Sequence, residues 1–205
     1  DAALRKCKQV CKLEDIFEII GCQSIKAEPT SLFSSVQEVN EISVANIDRY
    51  GMLRDNIGYK RITPIENHID RVKKQQLQTG DVIFAVKGSV GKCALIEPKY
   101  EGYIANQSFV ILRLRKGKFL QIESQRKGNY LDQICLFRFL QSELGQAIVN
   151  RLVTGAGVPM IKIMDLKELP VPILEESVLL ERIVLHVEAL KLIEQKNEIE
   201  EKIKE

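Results

Sequence analysis

The segment Lys87-Gly88-Ser89-Val90-Gly91-Lys92 places two glycines, a hydroxyl and two ammonium groups in a short run, the materials of a phosphate cradle. A phosphate loop needs four residues between its glycines, a Ser or Thr after its Lys, and a helix to open. Here only Ser89 and Val90 separate the glycines, Cys93 follows Lys92, and apolar runs of strand character flank the segment. The Gly-x-x-Gly clamp of RNA-binding KH modules joins two helices, so it fails on the same ground. Two readings stay open. The glycines serve a hairpin turn, or the segment is a hairpin tip whose Lys87, Ser89 and Lys92 contact a nucleic-acid backbone or base edge.

Other groups invite the same chemistry. The amides of Asn106 and Gln107, followed by Ser108, can bond adenine bidentately, or can satisfy backbone groups at a strand start. Arg49, Arg54, Lys60, Arg61, Arg71, Lys73 and Lys74 crowd an irregular stretch ending at Gln78; they make either a binding surface or a solvated, ion-paired face. Thr154-Gly155-Ala156-Gly157 either caps the helix before it or lets a ligand approach the backbone closely. Catalytic constellations are wanting. Neither His68 nor His186 lies in a triad context, and neither an Asn-Pro-Pro-Tyr-like nor a nuclease-like Asp…Glu-x-Lys motif stands out. Cys7, Cys11, Cys22, Cys93 and Cys135 include no pair at two-residue separation, so no zinc site is expected. Reduced, mostly buried thiols in a cytoplasmic protein are expected instead.

The elements that position these groups follow from periodicity and punctuation. Leu13, Ile16, Phe17 and Ile20 recur at helical spacing, which predicts a helix from Lys12 to Gly21. Residues 22–40 form a polar loop, and Glu41–Asp48 a strand with Ile42, Val44 and Ile47 inward. Asp81–Val86 and Cys93–Ile96 predict a hairpin, and Tyr103–Leu114 a further strand. Leu136, Leu140, Leu144, Ile148 and Leu152 step by four residues, which predicts one helix over Leu131–Val153. Thr154–Pro159 breaks it, a short strand or turn surrounds Ile161–Met164, and Leu169-Pro170-Val171-Pro172 forces an extended boundary. From Glu175 to Glu205 there is neither Gly nor Pro. There Leu185, Ala189, Leu192, Lys196, Ile199 and Ile203 alternate by four and three residues, a coiled-coil step. Its first half, with Leu179, Leu180, Ile183, Val184 and Val187, is too apolar for a solitary helix, so a partner helix is expected at Ile183, Val187, Leu190, Leu192, Ile199 and Ile203.

The 205 residues are 45% hydrophobic and 28% charged, with a formal charge of only +2. They suit one α/β (mixed α+β) globular domain over residues 1–172 with a long helix over residues 173–205. Any DNA face must be a local patch on a balanced surface. No stretch approaches the ~20 apolar residues of a membrane span, and nothing near Asp1 resembles a signal peptide. The missing initiator Met suits a processed or excised chain.

Taken in order, several segments resemble the specificity (S) subunit of type I restriction-modification systems. They are Leu13-Glu14-Asp15-Ile16 with Ile19-Ile20-Gly21; Ile42–Asp48; Gly80–Phe84 with Gly88–Lys92; Gln141–Gln146; and Gly155–Leu166 with Leu169-Pro170-Val171-Pro172 and the terminal helix. The resemblance implies a target-recognition domain followed by a spacer helix, directing partner subunits to a split DNA site. It implies double-stranded DNA and methyltransferase (M) subunits as partners, with the restriction (R) subunit beyond them. It implies no catalysis and no cofactor on this chain, S-adenosylmethionine belonging to a partner subunit. The family carries two such units per chain where this sequence has one, which leaves a self-associating half-subunit, a fragment, or the recognition part of a fused methyltransferase. Lys60, Arg61, Lys73, Lys74, Lys87, Ser89, Lys92, Asn106 and Gln107 are the candidate DNA-binding residues. A homodimer through the terminal helix is expected. The alternative is a protein-interaction adaptor that docks through that helix without binding DNA; it predicts that these cations are dispersed.

Overall fold

The computed structural model describes residues 7–27, 37–115, 129–174 and 176–204. The chain divides into two compact units: Cys11–Val171, and Asp1–Val10 with Pro172–Glu205.

Apolar runs build the larger unit. Strands β2 (Phe17–Gly21), β5 (Val82–Ala85), β6 (Cys93–Leu95) and β8 (Phe109–Leu114) form an antiparallel sheet in the order β2-β8-β5-β6. All four side chains of β5 are buried, as expected of a strand covered on both faces rather than one showing a solvated side. A second sheet runs in the order β4 (Lys60–Ile62), β3 (Val39–Ile42), β7 (Ile104–Ala105), with β3 antiparallel to β4 and parallel to β7. The main core gathers Ile42, Ile47, Leu77, Ile83, Ile96 and Phe109. A smaller cluster of Ile25, Ile62, Val72 and Ile104 joins the second sheet to the short helix α2 (Ile69–Lys74).

Polar groups inside the unit are paired. Asp81, its side chain 2% exposed, accepts from Arg113 Nε at 2.9 Å and Nη2 at 2.7 Å. It also accepts the Gln78 N–H at 2.8 Å, which closes the turn before β5. Gln75 bonds both the N–H and the carbonyl of Gln23, and His68 Nδ1 accepts the Lys26 N–H. These bonds hold residues 23–26 to α2 and the turn before it.

Several sequence expectations need correction. The predicted helix over 12–21 is one turn, α1 (Leu13–Ile16), followed directly by β2. Pairing with β8 from Phe17↔Leu114 to Gly21↔Val110 satisfies the β2 backbone and overrides its helical spacing. Glu41–Asp48 is not a continuous strand, because β3 ends at Ile42 and Val44–Asn46 winds into a 3-10 turn. That turn still buries Ile42 and Ile47. Residues 103–114 supply two strands, β7 and β8, to different sheets, with Asn106 turning the chain between them. The helix expected over 131–153 is two, α3 (Asn129–Gln141) and α4 (Glu143–Leu152), divided at Ser142. The Ser142 hydroxyl donates to the Phe139 carbonyl and accepts the Gly145 N–H. Ile163–Lys167 is a short helix, α5, rather than a strand or turn.

The hairpin of β5 and β6 forms as expected, as does the extended segment β9 (Pro170–Leu174), which pairs with β1 (Cys7–Lys12) in a two-stranded sheet. Helix α6 spans Glu176–Lys204. Burial pushes the Cys93 thiol up to about 12, and burial with the charge of Asp81 and Glu41 does the same to Cys22. The Cys7 side chain, and residues 28–36 of the expected polar loop, lie outside the described residues.

Candidate nucleic-acid interface

Three loops of the larger unit are tied to one another. The hairpin tip between β5 and β6 turns on Gly88 and Gly91, with φ of 76° and 89°, values that favour glycine over residues with a Cβ. Beside it runs the 154–161 loop: the Gly88 N–H donates to the Pro159 carbonyl at 2.9 Å, and the Ile161 N–H to the Val86 carbonyl at 2.9 Å. Gly155, with φ of 96°, and the Thr154–Met160 pairing close that loop on itself. The third loop is 44–54. Lys92, at the foot of the hairpin, donates its ammonium to the Ile47 carbonyl at 2.8 Å and the Val44 carbonyl at 3.4 Å.

The corner between α3 and α4 is bonded to two of these loops. Gln141 Nε2 donates to the Tyr50 carbonyl at 2.6 Å, and Gln146 Nε2 donates to the Gly91 carbonyl at 3.2 Å. The loops are therefore fixed at their bases while their tips stay open. Arg49, Tyr50, Lys87, Ser89 and residues 154–160 are all exposed. Among the described residues neither Arg49 nor Lys87 meets a carboxylate. Such loops can receive an anionic backbone without first breaking ion pairs.

The sequence-predicted residues divide accordingly. Lys87 and Ser89 stand at the hairpin tip. Lys92 is spent on the carbonyls of the neighbouring loop and joins the two loops instead of reaching outward. Asn106 Oδ1 accepts the Ser108 N–H at 3.0 Å, the backbone-satisfying arrangement of a turn, while Gln107 is exposed. Lys60 and Arg61 lie on β4, and Lys73 and Lys74 at the end of α2, both elements of the second sheet's cluster. Lys60 faces Glu41 and Lys73 faces Asp70, each at 3.9 Å; Arg61 and Lys74 have no carboxylate partner among the described residues. Arg49 and Tyr50 were not singled out as a pair. The one available signal was an Arg-aromatic dipeptide between Asp48 and Gly51, a turn-forming context.

On α6, Leu192, Ile199 and Ile203 are 65%, 57% and 78% exposed, Val187 is exposed and Leu190 half-buried. The Ile183 side chain lies outside the described residues. Among the described residues no group of three His, Cys, Asp or Glu could hold a metal ion, and no helix is long and apolar enough to cross a membrane.

A family model for the type I restriction modification DNA specificity domain matches residues 6–205. No curated protein is matched in sequence. The fold is similar to the type I restriction-modification S subunit from M. genitalium, with a TM-score of 0.56 and 16% identity over 92% of this chain. It is also similar to the HsdS subunit from Thermoanaerobacter tengcongensis, with a TM-score of 0.52 and 21% identity over 93% of this chain. A third structure, described as showing complex assembly and conformational transition of the type I R-M system, has a TM-score of 0.56 and 19% identity over 93% of this chain. The chain spans 41% of the first of these and 43% of the other two.

Proposed function

The chain belongs to the type I restriction-modification DNA specificity domain family, and from that premise we propose that it reads a DNA sequence for partner subunits that carry out the chemistry. One observation carries the reading: three mutually tied loops of a mixed α/β unit hold Arg49, Lys87 and Ser89 exposed, with both cations unopposed by carboxylate among the described residues. A charge of +2 overall is sufficient if the uncompensated cations gather where phosphate arrives.

Recognition is assigned to residues 1–172 and assembly to the helix over 173–205. The exposed heptad stripe of α6 pairs with a second copy or with the helices of methyltransferase subunits. A two-fold pair would present two recognition units to a split site, and two weak surfaces acting together bind far more tightly than one. The restriction subunit joins through the methyltransferase. The methyl donor S-adenosylmethionine resides on that partner, this chain is not an enzyme, and it works in the cytoplasm. The adaptor alternative gives no account of why Arg49 and Lys87 stand exposed on the tied loops.

The test is sedimentation of the full chain with a random-sequence duplex at two salt concentrations. The expected result is binding that weakens by about 0.9 log unit per log unit of salt for each phosphate neutralised. Absence of binding at the lower salt would overturn the proposal.

A further inference from the structure

The 48–52 loop holds a feature that general DNA affinity does not require. The Arg49 guanidinium lies over the Tyr50 ring, 4.7 Å from its centroid, and Nη2 donates to the Tyr50 hydroxyl at 2.5 Å. An exposed arginine ordinarily samples many rotamers; here ring and hydroxyl select one. The backbone beneath is equally fixed. Asp48 Oδ1 accepts the N–H groups of Tyr50 at 2.7 Å and Met52 at 2.9 Å. The Asp48 N–H donates to the Met52 carbonyl at 2.9 Å. Gly51 has φ of 79°, and a Cβ there would stand 2.3 Å from Gln141 Nε2 and 2.8 Å from the Cys93 carbonyl. The loop is therefore pressed at Gly51 against α3 and β6, and of residues 48–52 only Arg49 and Tyr50 are exposed.

A phosphate contact needs charge and little else. A contact to a base edge needs direction, because it must tell one pattern of acceptors from another. Guanine offers two acceptors, O6 and N7, side by side in the major groove, and a guanidinium meets both with parallel donors. Five N–H donors sit on Arg49, and the Tyr50 hydroxyl occupies one nitrogen only. We propose that Arg49 and Tyr50 form a base-reading pair: Arg49 presents its fork to guanine, the Tyr50 ring fixes the direction of that fork, and Lys87 on the adjoining hairpin takes a flanking phosphate. The inference rests on the DNA-reading function proposed above. Among the described residues no other exposed cation joins an aromatic platform to freedom from carboxylate: Lys99 lies over the Tyr100 ring but pairs with Asp55. Arg61 and Lys74 have no aromatic platform among the described residues, and the Asn106 carbonyl oxygen is engaged by its own turn.

The experiment is enrichment from a randomised duplex pool by the full chain, followed by sequencing, for the wild type and for Arg49→Ala, Arg49→Lys, Tyr50→Phe and Lys87→Ala. The wild type enriches a motif containing at least one fixed guanine. In Arg49→Ala, preference at one guanine falls roughly ten- to a hundred-fold while the other positions keep theirs. Arg49→Lys does not restore it, because a point charge lacks the fork. Tyr50→Phe keeps the ring but loses the hydroxyl, and weakens the same position only. Lys87→Ala keeps the motif, lowers affinity for every sequence and reduces the salt slope by about 0.9. Preferences unchanged in Arg49→Ala, or restored in Arg49→Lys, overturn the pair while leaving DNA reading intact. A wild-type chain that enriches no sequence overturns the parent reading and the pair with it.

Discussion

Asp55 collects three donors: the hydroxyls of Tyr59 and Tyr100, each at 2.8 Å, and the Lys99 ammonium at 2.9 Å. The rings of Tyr59, Tyr100 and Tyr103 meet edge to face around it, 5.3–5.9 Å apart. Burial opposes ionisation of Asp55, but the bonds from Lys99, Tyr100 and Tyr59 outweigh it and hold the carboxyl below its ordinary value. Burial pushes both Tyr59 and Tyr100 above their ordinary value of 10.0; Tyr100 and then Asp55 raise Tyr59 further, while at Tyr100 burial and the bond to Asp55 outweigh the lowering by Tyr59. The two effects have opposite signs. A depressed carboxyl contributes stability that is present above about pH 4 and lost as pH falls through its folded value. Raised phenols contribute stability that is present below about pH 10 and lost as pH climbs through theirs. Urea unfolding should therefore show a midpoint that drops between pH 9 and 11 in the wild type, and drops less in a Tyr59→Phe, Tyr100→Phe double variant. An identical pH profile for the two proteins would refute the cluster's role. At this scale the sequence showed which residue types could meet DNA, but not which were already engaged. Lys87 and Lys92 look alike in one dimension; only Lys92 lies within reach of the Val44 and Ile47 carbonyls.

Helices and strands fell where their signals were local. Five consecutive apolar residues between Asp81 and Lys87 hold β5, and the Gly/Pro-free run became α6. Expectations failed where a distant partner decided the outcome, as with β2, whose backbone pairs with β8. The α3–α4 corner failed for another reason: the four-residue step of leucines runs through Ser142 unbroken, and the break arises from the Ser142 hydroxyl and Gly145. A Cβ on Gly145 would lie 1.9 Å from the Phe139 carbonyl oxygen and 3.2 Å from Leu140 Cα. Gly145→Ala must open that corner, at a cost of about 1–3 kcal/mol in unfolding free energy. It should also weaken DNA binding, because Gln146, the next residue, holds the hairpin at Gly91. Gly157→Ala, where nothing lies within 4 Å, should change stability by less than about 0.5 kcal/mol. Equal stability of the two variants in urea would show that the corner tolerates the added methyl.

Over the whole molecule the unresolved need is cover for α6. At about 1.5 Å per residue, its 29 residues carry an apolar seam far longer than isolated surface residues would give. Leu185, Leu192 and Ile199 recur every seven positions and are all exposed. Burying such a seam against a partner helix removes apolar surface from water at ~25 cal/mol per Å². The full chain should sediment as a dimer at micromolar concentration. The Leu192→Glu, Ile199→Glu double variant should sediment as a monomer with an unchanged near-ultraviolet spectrum from the larger unit. The same mass for both proteins would remove α6 from the assembly interface.

The family was legible in an ordered set of segments that resemble it; the sequence by itself also determined the mixed α/β class, the hairpin, the extended proline segment and the terminal helix. Those features are written in short-range periodicity and in Gly and Pro, whose backbone preferences act where they stand. Tertiary structure alone decided which residues the candidate site brings together. The bond from Gln141 to Tyr50 spans 91 positions, and that from Lys92 to Ile47 spans 45. No local pattern specifies such partners; the packing of sheets and helices brings them together, and it leaves Arg49 and Lys87 uncovered.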